Sequence, residues 1–496
     1  MVKTRIISIV LLLTVLLSQL MLVACDDGEK ETGSEQSAVS EISATESTTA
    51  LEQETAPAPE IAQKNYNDTL YMTIQTDNWF DLMWVEESKG DAMSQAVYER
   101  QLKIKDHLGV DIIGTNVANG YIDPFKTAVR NKDGSVDVLL PNPYLGVAGL
   151  ISEGYLQDLR NFSELDLDAD YWNREYMENL TVSDAIYLGY SNYNLAKAHM
   201  ILFNKEMMAK YGDSLGESIY DTVRGYRWTL DKMLSLTSEV YIDNTADGKT
   251  ADDTFGITGN QWIPFLVFAT SSNIKYVEPN EKGELKVSIY NDLNKAKTTT
   301  LVEKLTALAA ADSSWFWFKN EGTTQIHLYE GNTLMELVPT YRVVTYLNYD
   351  VDYGILPYPM LDETQKDVGY LSLNWDGYIC MPAYIEAPEM AAETVELLSY
   401  YSDDVRKTFY EKILGKQASD APDDSQMLDL VWGGIVSDIG LTYTSIGTSL
   451  GDLLYMLPEV SYVNSTLNVA SYISSCESAA NKALAKYIKT LKANGH

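Results

Sequence analysis

The chain has 496 residues and is strongly acidic, because 71 Asp and Glu outnumber 37 Lys and Arg and leave a net charge of −34. A surface this negative repels phosphate backbones, so the composition argues against nucleic acid as a partner. The hydrophobic fraction of 45% and the aromatic fraction of 11% are typical of a packed globular protein. The length is sufficient for two domains.

The first 25 residues have the pattern of a secretory signal. Lys3 and Arg5 form a basic start, an apolar run extends from Ile6 to Leu17, and the segment closes on Leu22-Val23-Ala24-Cys25. This order describes a signal peptide, and its last residue resembles the cysteine of a bacterial lipobox, whose thiol is lipidated. We therefore predict a signal peptide over 1–24, a lipid on Cys25 and a body anchored at the extracytoplasmic face of the cell membrane. The alternative is an uncleaved anchor, since the apolar run is just long enough to span a bilayer.

Residues 25–65 differ sharply in composition from the rest of the chain. They are rich in Glu, Ser, Thr and Ala, include Pro57 and Pro59, and hold no aromatic residue. Such a segment cannot bury enough apolar surface to offset its conformational entropy. We predict a disordered acidic tether that lets the folded body stand off the membrane.

From residue 66 onward, hydrophobic patterns typical of strands and helices alternate. The first predicted elements are a strand at 69–75, a helix at 91–108 stopped by Gly109, a strand at 110–113, a helix with Asp123 as N-cap and Pro124 in its first turn, and a strand at 136–140. The later predicted elements are strands at 198–203 and 254–258 and helices at 205–211, 229–237, 293–310 and 387–401. This alternation predicts an α/β protein whose sheets are covered by helices.

Six segments, in this order, resemble landmarks of the extracellular solute-binding proteins of sugar-type ABC importers, the family 1 solute-binding lipoproteins. They are DGSVDVLLPNPYLGVAGLISEGYLQDL (133–159), IYLGYSNYNLAKAHMILFNKEMMAKYG (186–212), RWTLDKMLSLTSEV (227–240), YEGNTLMELVPTYRV (329–343), GILPYPML (354–361) and AYIEAPEMAAETVELLSYYSDD (383–404). Phe203 stands where the family usually has Tyr, and the Trp that usually follows the fourth segment is absent.

The resemblance implies a two-lobed, periplasmic-binding-protein-like fold of type II, in which each lobe is a sheet flanked by helices and a hinged cleft lies between the lobes. We expect lobe one over 66–194 plus 325–370 and lobe two over 195–324 plus 371–496, with crossings near 190–198, 320–326 and 369–375. The resemblance also implies a monomer that captures a carbohydrate, expected to be an oligosaccharide, and delivers it to the permease subunits of an ABC transporter. It implies neither catalysis nor a cofactor.

Aromatic and amide side chains in predicted loops are the candidate ligand contacts. A pyranose ring offers apolar C–H faces and many hydroxyls, which suit flat aromatic rings beside amide and carboxylate groups. The chain has 34 Tyr and 9 Trp, and several of them lie directly after predicted strands or at the expected crossings. The candidate ligand-binding residues are Asn78, Trp79, Asn142, Tyr144, Asn192, Tyr193, Trp262, Trp375, Asp376 and Trp432.

The sequence leaves alternatives to this interpretation. No histidine pair has ligand spacing, so we expect no zinc site, and the run from Asp243 to Gly248 fits an Asp/Gly turn better than a calcium loop. Cys380 and Cys476 could form a disulfide or be buried thiols. The alternative functions are a surface glycoside hydrolase that uses a carboxylate pair, and the same fold with a peptide or a polyamine as its ligand.

Overall fold

The structure is a computed structural model, and it describes residues 56–75, 79–117, 120–142, 146–194, 198–260, 262–280, 284–317, 325–343, 346, 349–373, 377–415, 422–443 and 468–493. The side chains of Asn260, of residues 262–265 and of Trp317 also lie outside this description. The predicted signal peptide, Cys25 and the predicted tether as far as residue 55 therefore lie outside the described residues. Within the described ranges, no helix is both long and apolar enough to cross a membrane.

The first three strands of the chain form a parallel sheet. They are β1 (Asp68–Ile74), β2 (Val110–Asn116) and β3 (Val138–Leu140), in the lateral order β2-β1-β3. Leu70, Met72 and Ile74 of the central strand are at most 2% exposed, because alternate side chains of a strand point to the same face. The strands predicted for this region are confirmed, with ends shifted by one to three residues.

Short antiparallel bridges extend this sheet beyond β3. Leu139 pairs with Cys380, Ile379 pairs with Gly189, and Ser191 pairs with Trp172. The lateral order is therefore β1, β3, the segment at 379–380, the segment at 189–191 and the segment at Trp172. This order decides below which side chains share a site.

Three helices alternate with these strands. They are α1 (Phe80–Met83), α2 (Ala92–Leu108) and α3 (Ile122–Asn131). The Asp91 carboxylate caps α2 by accepting the N–H groups of Met93 and Ser94, and Gly109 ends it with a φ of 66°. The prediction of Asp123 as the N-cap of α3 is wrong, because Tyr121 holds that position; Asp123 lies in the first turn, where its charge favours the positive end of the helix dipole.

A second, mixed sheet follows in the chain. The next strands are β4 (His199–Asn204), β5 (Tyr241–Ile242), β6 (Thr254–Asn260), the separate antiparallel pair β7 (Val277–Pro279) and β8 (Leu285–Val287), and then β9 (Ser314–Trp317), β10 (Thr333–Pro339) and β11 (Tyr353–Leu356). The lateral order is β11-β4-β10-β6-β5, with β9 also paired to β6. Because β9 and β10 both run parallel to β6, the carboxyl ends of these three strands lie at one edge of the sheet.

Helices cover both sheets, and a separate pair of short strands follows late in the chain. The remaining helices are α4 (Val147–Ser152), α5 (Arg174–Glu178), α6 (Lys205–Tyr211), α7 (Ile219–Arg224), α8 (Leu230–Ser238), α9 (Trp262–Ser271), α10 (Asp292–Ala310), α11 (Thr340–Val343), α12 (Pro388–Leu414), α13 (Pro422–Gly433), α14 (Ile439–Thr442) and α15 (Val469–Ala493). The last strands, β12 (Ser372–Leu373) and β13 (Ile435–Val436), pair in parallel.

The helix α12 begins at Pro388, as predicted, but continues to Leu414 instead of ending at 401. Its buried face persists through Ser402, Val405 and Phe409, which keeps the helical spacing of three and four residues. This face packs on α2, where the buried Arg100 guanidinium donates to Ser402 Oγ at 2.9 Å. The long helix therefore belongs with the first sheet.

The strand pairing contradicts part of the expected lobe assignment. Residues 325–370 were expected to share a lobe with 66–194, but β10 and β11 both pair with β4 in the second sheet. Conversely, residues 377–414 were expected in lobe two, but they pair with β3 and pack on α2. The expected crossing near 320–326 is also wrong, since β9 and β10 flank it and both pair with β6.

The described residues that flank two of the connections between the sheets are hydrogen-bonded to one another. Ser372 Oγ donates to His199 O at 3.0 Å, and Asn194 Nδ2 donates to Gly377 O. The backbone N–H of Ser372 donates to Gly434 O at 2.7 Å. The chain thus passes between the sheets near 194–198, 373–377 and 415–422, and we call these the crossing segments.

Two smaller expectations are resolved by the same structure. Cys380 is buried, Cys476 is half-buried, and both are free thiols. The Asp243 carboxylate accepts the N–H groups of Ala246 and Gly248, which confirms the turn reading of this run.

Contacts between the N-terminal segment and the folded body begin slightly before residue 66. Ile61 O lies 2.8 Å from His107 Nε2, and Lys64 Nζ lies 2.6 Å from both Glu389 Oε1 and Glu393 Oε1 on α12. The last residues of the predicted tether are therefore attached to the first sheet and its helices.

Candidate functional site

Aromatic residues from both sheets meet at the carboxyl ends of the strands. Trp79 follows β1, and Tyr341 follows β10. Their ring centroids are 5.7 Å apart with an interplanar angle of 42°, and Trp79 is only 5% exposed. In α/β proteins, ligands bind in the crevice outside the carboxyl ends of the strands. We call the region of Trp79, Asn142 and Tyr341 the strand-end crevice.

The floor of the strand-end crevice is fixed by Gln75. Its backbone N–H donates to Leu140 O at 2.9 Å, and its side-chain Oε1 accepts the N–H of Asn142 at 2.9 Å. Gln75 is 5% exposed, so this buried amide joins the ends of β1 and β3. The loop that begins at Asn142 therefore leaves the sheet from a defined point.

Five further predicted contacts are close in sequence to the strand-end crevice. Trp262 is the first residue of α9, directly after β6, and its side chain lies outside the described part of the chain. Asn78, Tyr144, Trp375 and Asp376 also lie outside the described residues. In the sequence they are one or two residues from Trp79, Asn142 and Gly377.

Two other predicted contacts line a separate cavity of about 260 Å³. Asn192 and Trp432 border it, together with Arg406, which the sequence analysis did not select. Arg406 Nη1 donates to Asn192 Oδ1 at 2.7 Å, and the guanidinium carbon lies 5.5 Å from the centre of the Trp432 ring. We call this space the crossing cavity, because Asn192 and Ala198 border it on either side of the first crossing segment.

Tyr193 lies next to the crossing cavity in sequence but points into the core. It is 1% exposed, and its hydroxyl donates to Met83 O at 3.1 Å. The Arg100 guanidinium lies over its ring at 4.6 Å. The structure thus gives Tyr193 a packing position between α1, α2 and the crossing segment.

A buried carboxylate supports the aromatic wall of the crossing cavity. Glu396 on α12 is fully buried and accepts hydrogen bonds from Tyr171 Oη at 2.5 Å, Trp172 Nε1 at 2.9 Å and the N–H of Asp166 at 3.2 Å. Desolvation by burial raises the pKa of Glu396. The sequence carried a signal for it, because Glu396 interrupts the apolar face of α12 between Val395 and Leu397.

The carboxylates of the described residues do not form a metal site. Among the described residues, no group of three or more His, Cys, Asp or Glu side chains is arranged to hold a metal ion.

No protein-family model matches the chain, and no curated protein matches it by sequence. Solved structures match its fold. The architecture is the mixed α/β, two-lobed fold of type II periplasmic-binding-protein-like proteins, which confirms the predicted fold class.

Three of the similar solved structures are binding proteins in complex with saccharides. The maltose/maltodextrin-binding domain MalE from Bdellovibrio bacteriovorus, bound to maltotriose, has a TM-score of 0.55 and 16% identity over 84% of this chain and 99% of that one. The ABC substrate-binding protein Lmo0181 from Listeria monocytogenes, in complex with cycloalternan, has a TM-score of 0.52 and 14% identity over 86% of this chain and 99% of its own. The GacH receptor of Streptomyces glaucescens, solved unliganded and with acarbose, has a TM-score of 0.52 and 14% identity over 87% of this chain and 99% of its own.

Proposed function

We propose that this protein is an extracytoplasmic solute-binding protein that captures a carbohydrate, an oligosaccharide, and delivers it to an ABC importer. The observation that carries the proposal is the contact of Trp79 with Tyr341, which brings aromatic faces from the two sheets together at their strand ends. Aromatic faces are what the C–H faces of a sugar ring require. Support comes from the similar structures, whose own titles name maltotriose, cycloalternan and acarbose as ligands.

The proposed binding contacts are those that sequence places around the strand-end crevice. Trp79, Asn142 and Tyr341 would form its described part. The residues expected beside them are Asn78, Tyr144, Trp262, Trp375 and Asp376. Their amide and carboxylate groups would pair the sugar hydroxyls, while the rings would cover its apolar faces.

The lobes in this proposal follow the strand pairing. Lobe one takes residues 66–194 and 377–415, and lobe two takes 198–373 together with 422–436. The crossing segments would act as the hinge, because they are the chain segments that join the two sheets. Closure over the ligand is reversible and needs no chemical step, so we propose a binding protein and not an enzyme.

Anchoring and delivery rest on the N-terminal sequence. We propose that residues 1–24 are removed, that Cys25 carries lipid, and that a monomer is held at the membrane beside its permease subunits. The attachment of Lys64 to Glu389 and Glu393 would fix where the tether leaves the body. The tether would then give the body reach toward the permease.

The test is binding of neutral oligosaccharides to the full chain in detergent micelles. Thermal unfolding and calorimetric titration are run with malto-oligosaccharides, cycloalternan, acarbose, a peptide mixture and spermidine. We expect one saccharide series to raise the unfolding temperature, because a ligand that prefers the native state stabilises it, with no new reducing ends. Saturable binding only to the peptides or the amine, or release of reducing ends, would refute the proposal.

A further inference from the structure

We propose that the crossing cavity is a second binding site, separate from the strand-end crevice, for a single-ring ligand that carries one carboxylate, such as a uronic acid. The carboxylate would bind the Arg406 guanidinium, and the ring would lie among the aromatic side chains around it. The inference depends on the described geometry of Arg406, Asn192 and Trp432 and does not depend on the proposed transport function.

The crossing cavity and the crevice are lined by different residues, which belong to different positions in the lateral order of the first sheet. The lateral order of the first sheet runs from β1 and β3 through Ile379 and Gly189 to Trp172. The crevice lies at β1 and β3, whereas Trp172 at the far end of this order lines the crossing cavity. The contact of Asn194 with Gly377 stands between them. A ligand in the crevice would therefore leave the crossing cavity unfilled.

The Arg406 guanidinium borders a cavity and has no carboxylate partner among the described residues. Each of four arginines holds a carboxylate within 4.0 Å, and these are Arg160, Arg174, Arg224 and Arg227. Across the described ranges, Arg406 has no Asp or Glu oxygen within that distance and is bonded to the neutral amide of Asn192. Arg100 and Arg130 also have no carboxylate partner in the described ranges, but Arg100 is fully buried against Ser402 and Met83 O and Arg130 is exposed on α3. Of these three arginines, Arg406 borders the crossing cavity, where a cation suits an anionic ligand.

The orientation of the guanidinium favours a planar anion. Its Nη1 is committed to Asn192, and the face of Trp432 lies beneath it. A guanidinium fixed in its plane presents its other N–H groups as a fork that fits a carboxylate better than a point charge would. Trp432 is held in turn by the Tyr410 ring, whose centroid is 4.9 Å away.

The rest of the lining suits one sugar ring. Trp172 and Tyr190 contribute aromatic surface, and Tyr190 is itself stacked on Tyr176 at 4.2 Å. The volume of about 260 Å³ lies just below the range of roughly 300–1,000 Å³ usual for drug-sized ligands, so a single ring fits better than a chain. Glu396 acts as a positioning residue, because it holds Tyr171 and Trp172 in the wall.

The charge around the crossing cavity favours one negative charge over two. Asp170 also borders the cavity, and it would repel an anion in proportion to the charge of that anion. Arg174 borders it as well, but its guanidinium is already paired with Asp168 and Glu178. A monocarboxylate therefore fits better than a phosphate dianion.

The test is calorimetric titration of the full chain in detergent micelles with galacturonate and glucuronate. Galactose, glucose, acetate and inorganic phosphate serve as comparison ligands. We expect saturable uronate binding that is at least about tenfold tighter than binding of the matching neutral sugar, since a charge-assisted fork is lost in the latter. Equal affinity for phosphate, or no uronate binding by a folded chain, would overturn the proposal.

Variants separate the two sites. Arg406→Gln should weaken uronate binding at least about tenfold, whereas Arg130→Gln removes an equal charge from exposed α3 and should change nothing. If Arg406→Gln does not fold, Arg406→Lys keeps the charge but loses the fork, and it should still weaken binding. Unchanged uronate affinity in either folded Arg406 variant would refute the site.

The outcome of the uronate titration does not depend on the proposed transport function. Neutral oligosaccharide binding should survive Arg406→Gln, and uronate binding should survive Trp79→Ala. Loss of both ligands in one folded variant would mean that the crevice and the crossing cavity are a single site, which would overturn the second one.

Discussion

The strand-end crevice and the crossing cavity are built from different kinds of position. The crevice gathers Trp79, Asn142 and Tyr341, each of which lies within a few residues after the end of a strand. The crossing cavity gathers Arg406 from α12, Trp432 from the last turn of α13 and Asn192 from just before the first crossing segment. Local sequence pattern selected Trp79 and Asn142 in the first site and Asn192 and Trp432 in the second, whereas only the packing of distant segments brought Tyr341 and Arg406 to them.

The largest expected effect is the pH dependence of the unfolding free energy that Asp438 causes. Asp438 caps α14 and accepts the N–H groups of Tyr276, Val277 and Gly440, and its burial raises its pKa to about 6. A carboxyl with a raised pKa keeps its proton longer in the folded state, so stability falls as pH rises from about 4 to about 6. The loss attributable to Asp438 should approach about 3 kcal/mol.

Urea unfolding of the wild type and of Asp438→Asn between pH 3.5 and 7 measures this effect. The difference in unfolding free energy between the two should shift against the wild type as pH rises, because the variant has no carboxyl to ionise. Asp252→Asn, which removes an exposed carboxylate, should keep a nearly constant difference. A constant difference for Asp438→Asn as well would contradict the prediction.

The next effect is a loss of oligosaccharide affinity at the strand-end crevice alone. Trp79→Ala should weaken neutral oligosaccharide binding about 100-fold, since a buried aromatic contact of this kind is worth roughly 2–4 kcal/mol. Tyr71→Ala is the control, because Tyr71 lies on β1, the strand that precedes Trp79, and its side chain is 41% exposed. Calorimetric titration measures the oligosaccharide affinity of both variants. Equal affinities would show that Trp79 does not contribute to the binding site.

A smaller effect tests the wall of the crossing cavity. Glu396→Gln replaces an oxygen that accepts a hydrogen bond with an N–H₂ group, so Tyr171, Trp172 or Asp166 would lose its acceptor. We expect a loss of about 1–3 kcal/mol in unfolding free energy and weaker uronate binding, with oligosaccharide binding unchanged. Glu175→Gln on the exposed side of α5 is the control. An oligosaccharide affinity that falls with the uronate affinity would mean that Glu396 supports both sites.

The smallest effect is expected at the attachment of the tether, and it should leave the ligand affinity of both sites unchanged. Lys64→Ala removes the ion pairs that hold the end of the tether to Glu389 and Glu393. Hydrogen exchange should become faster at the amides of Lys64 and Tyr66, which otherwise donate to His107 O and Leu108 O. Lys132→Ala serves as the control. A change in either ligand affinity would show that this attachment reaches the binding sites.

Eleven of the 28 described helices and strands named above were predicted from the sequence, but their assembly could not be. The helix at 205–211 was predicted to the residue, and α2 and α10 to within one residue. The end of α12 was missed because Ser402 is polar, although its hydroxyl donates to Leu398 O and its side chain is buried against Arg100. The lobe assignment of 325–370 was wrong because which sheet a strand joins depends on pairing with a strand more than a hundred residues away.

The sequence by itself determined the α/β class, five of the strands and six of the helices, and the aromatic and amide residues that follow several strands. These properties arise from the periodicity and capping of neighbouring residues, which act over a few positions of the chain. The tertiary structure alone decided that 377–414 returns to the first sheet, that Tyr193 packs against Arg100, and that Arg406 meets Asn192 and Trp432. Such contacts join residues far apart in the chain, and no local pattern records which distant partner a side chain will find.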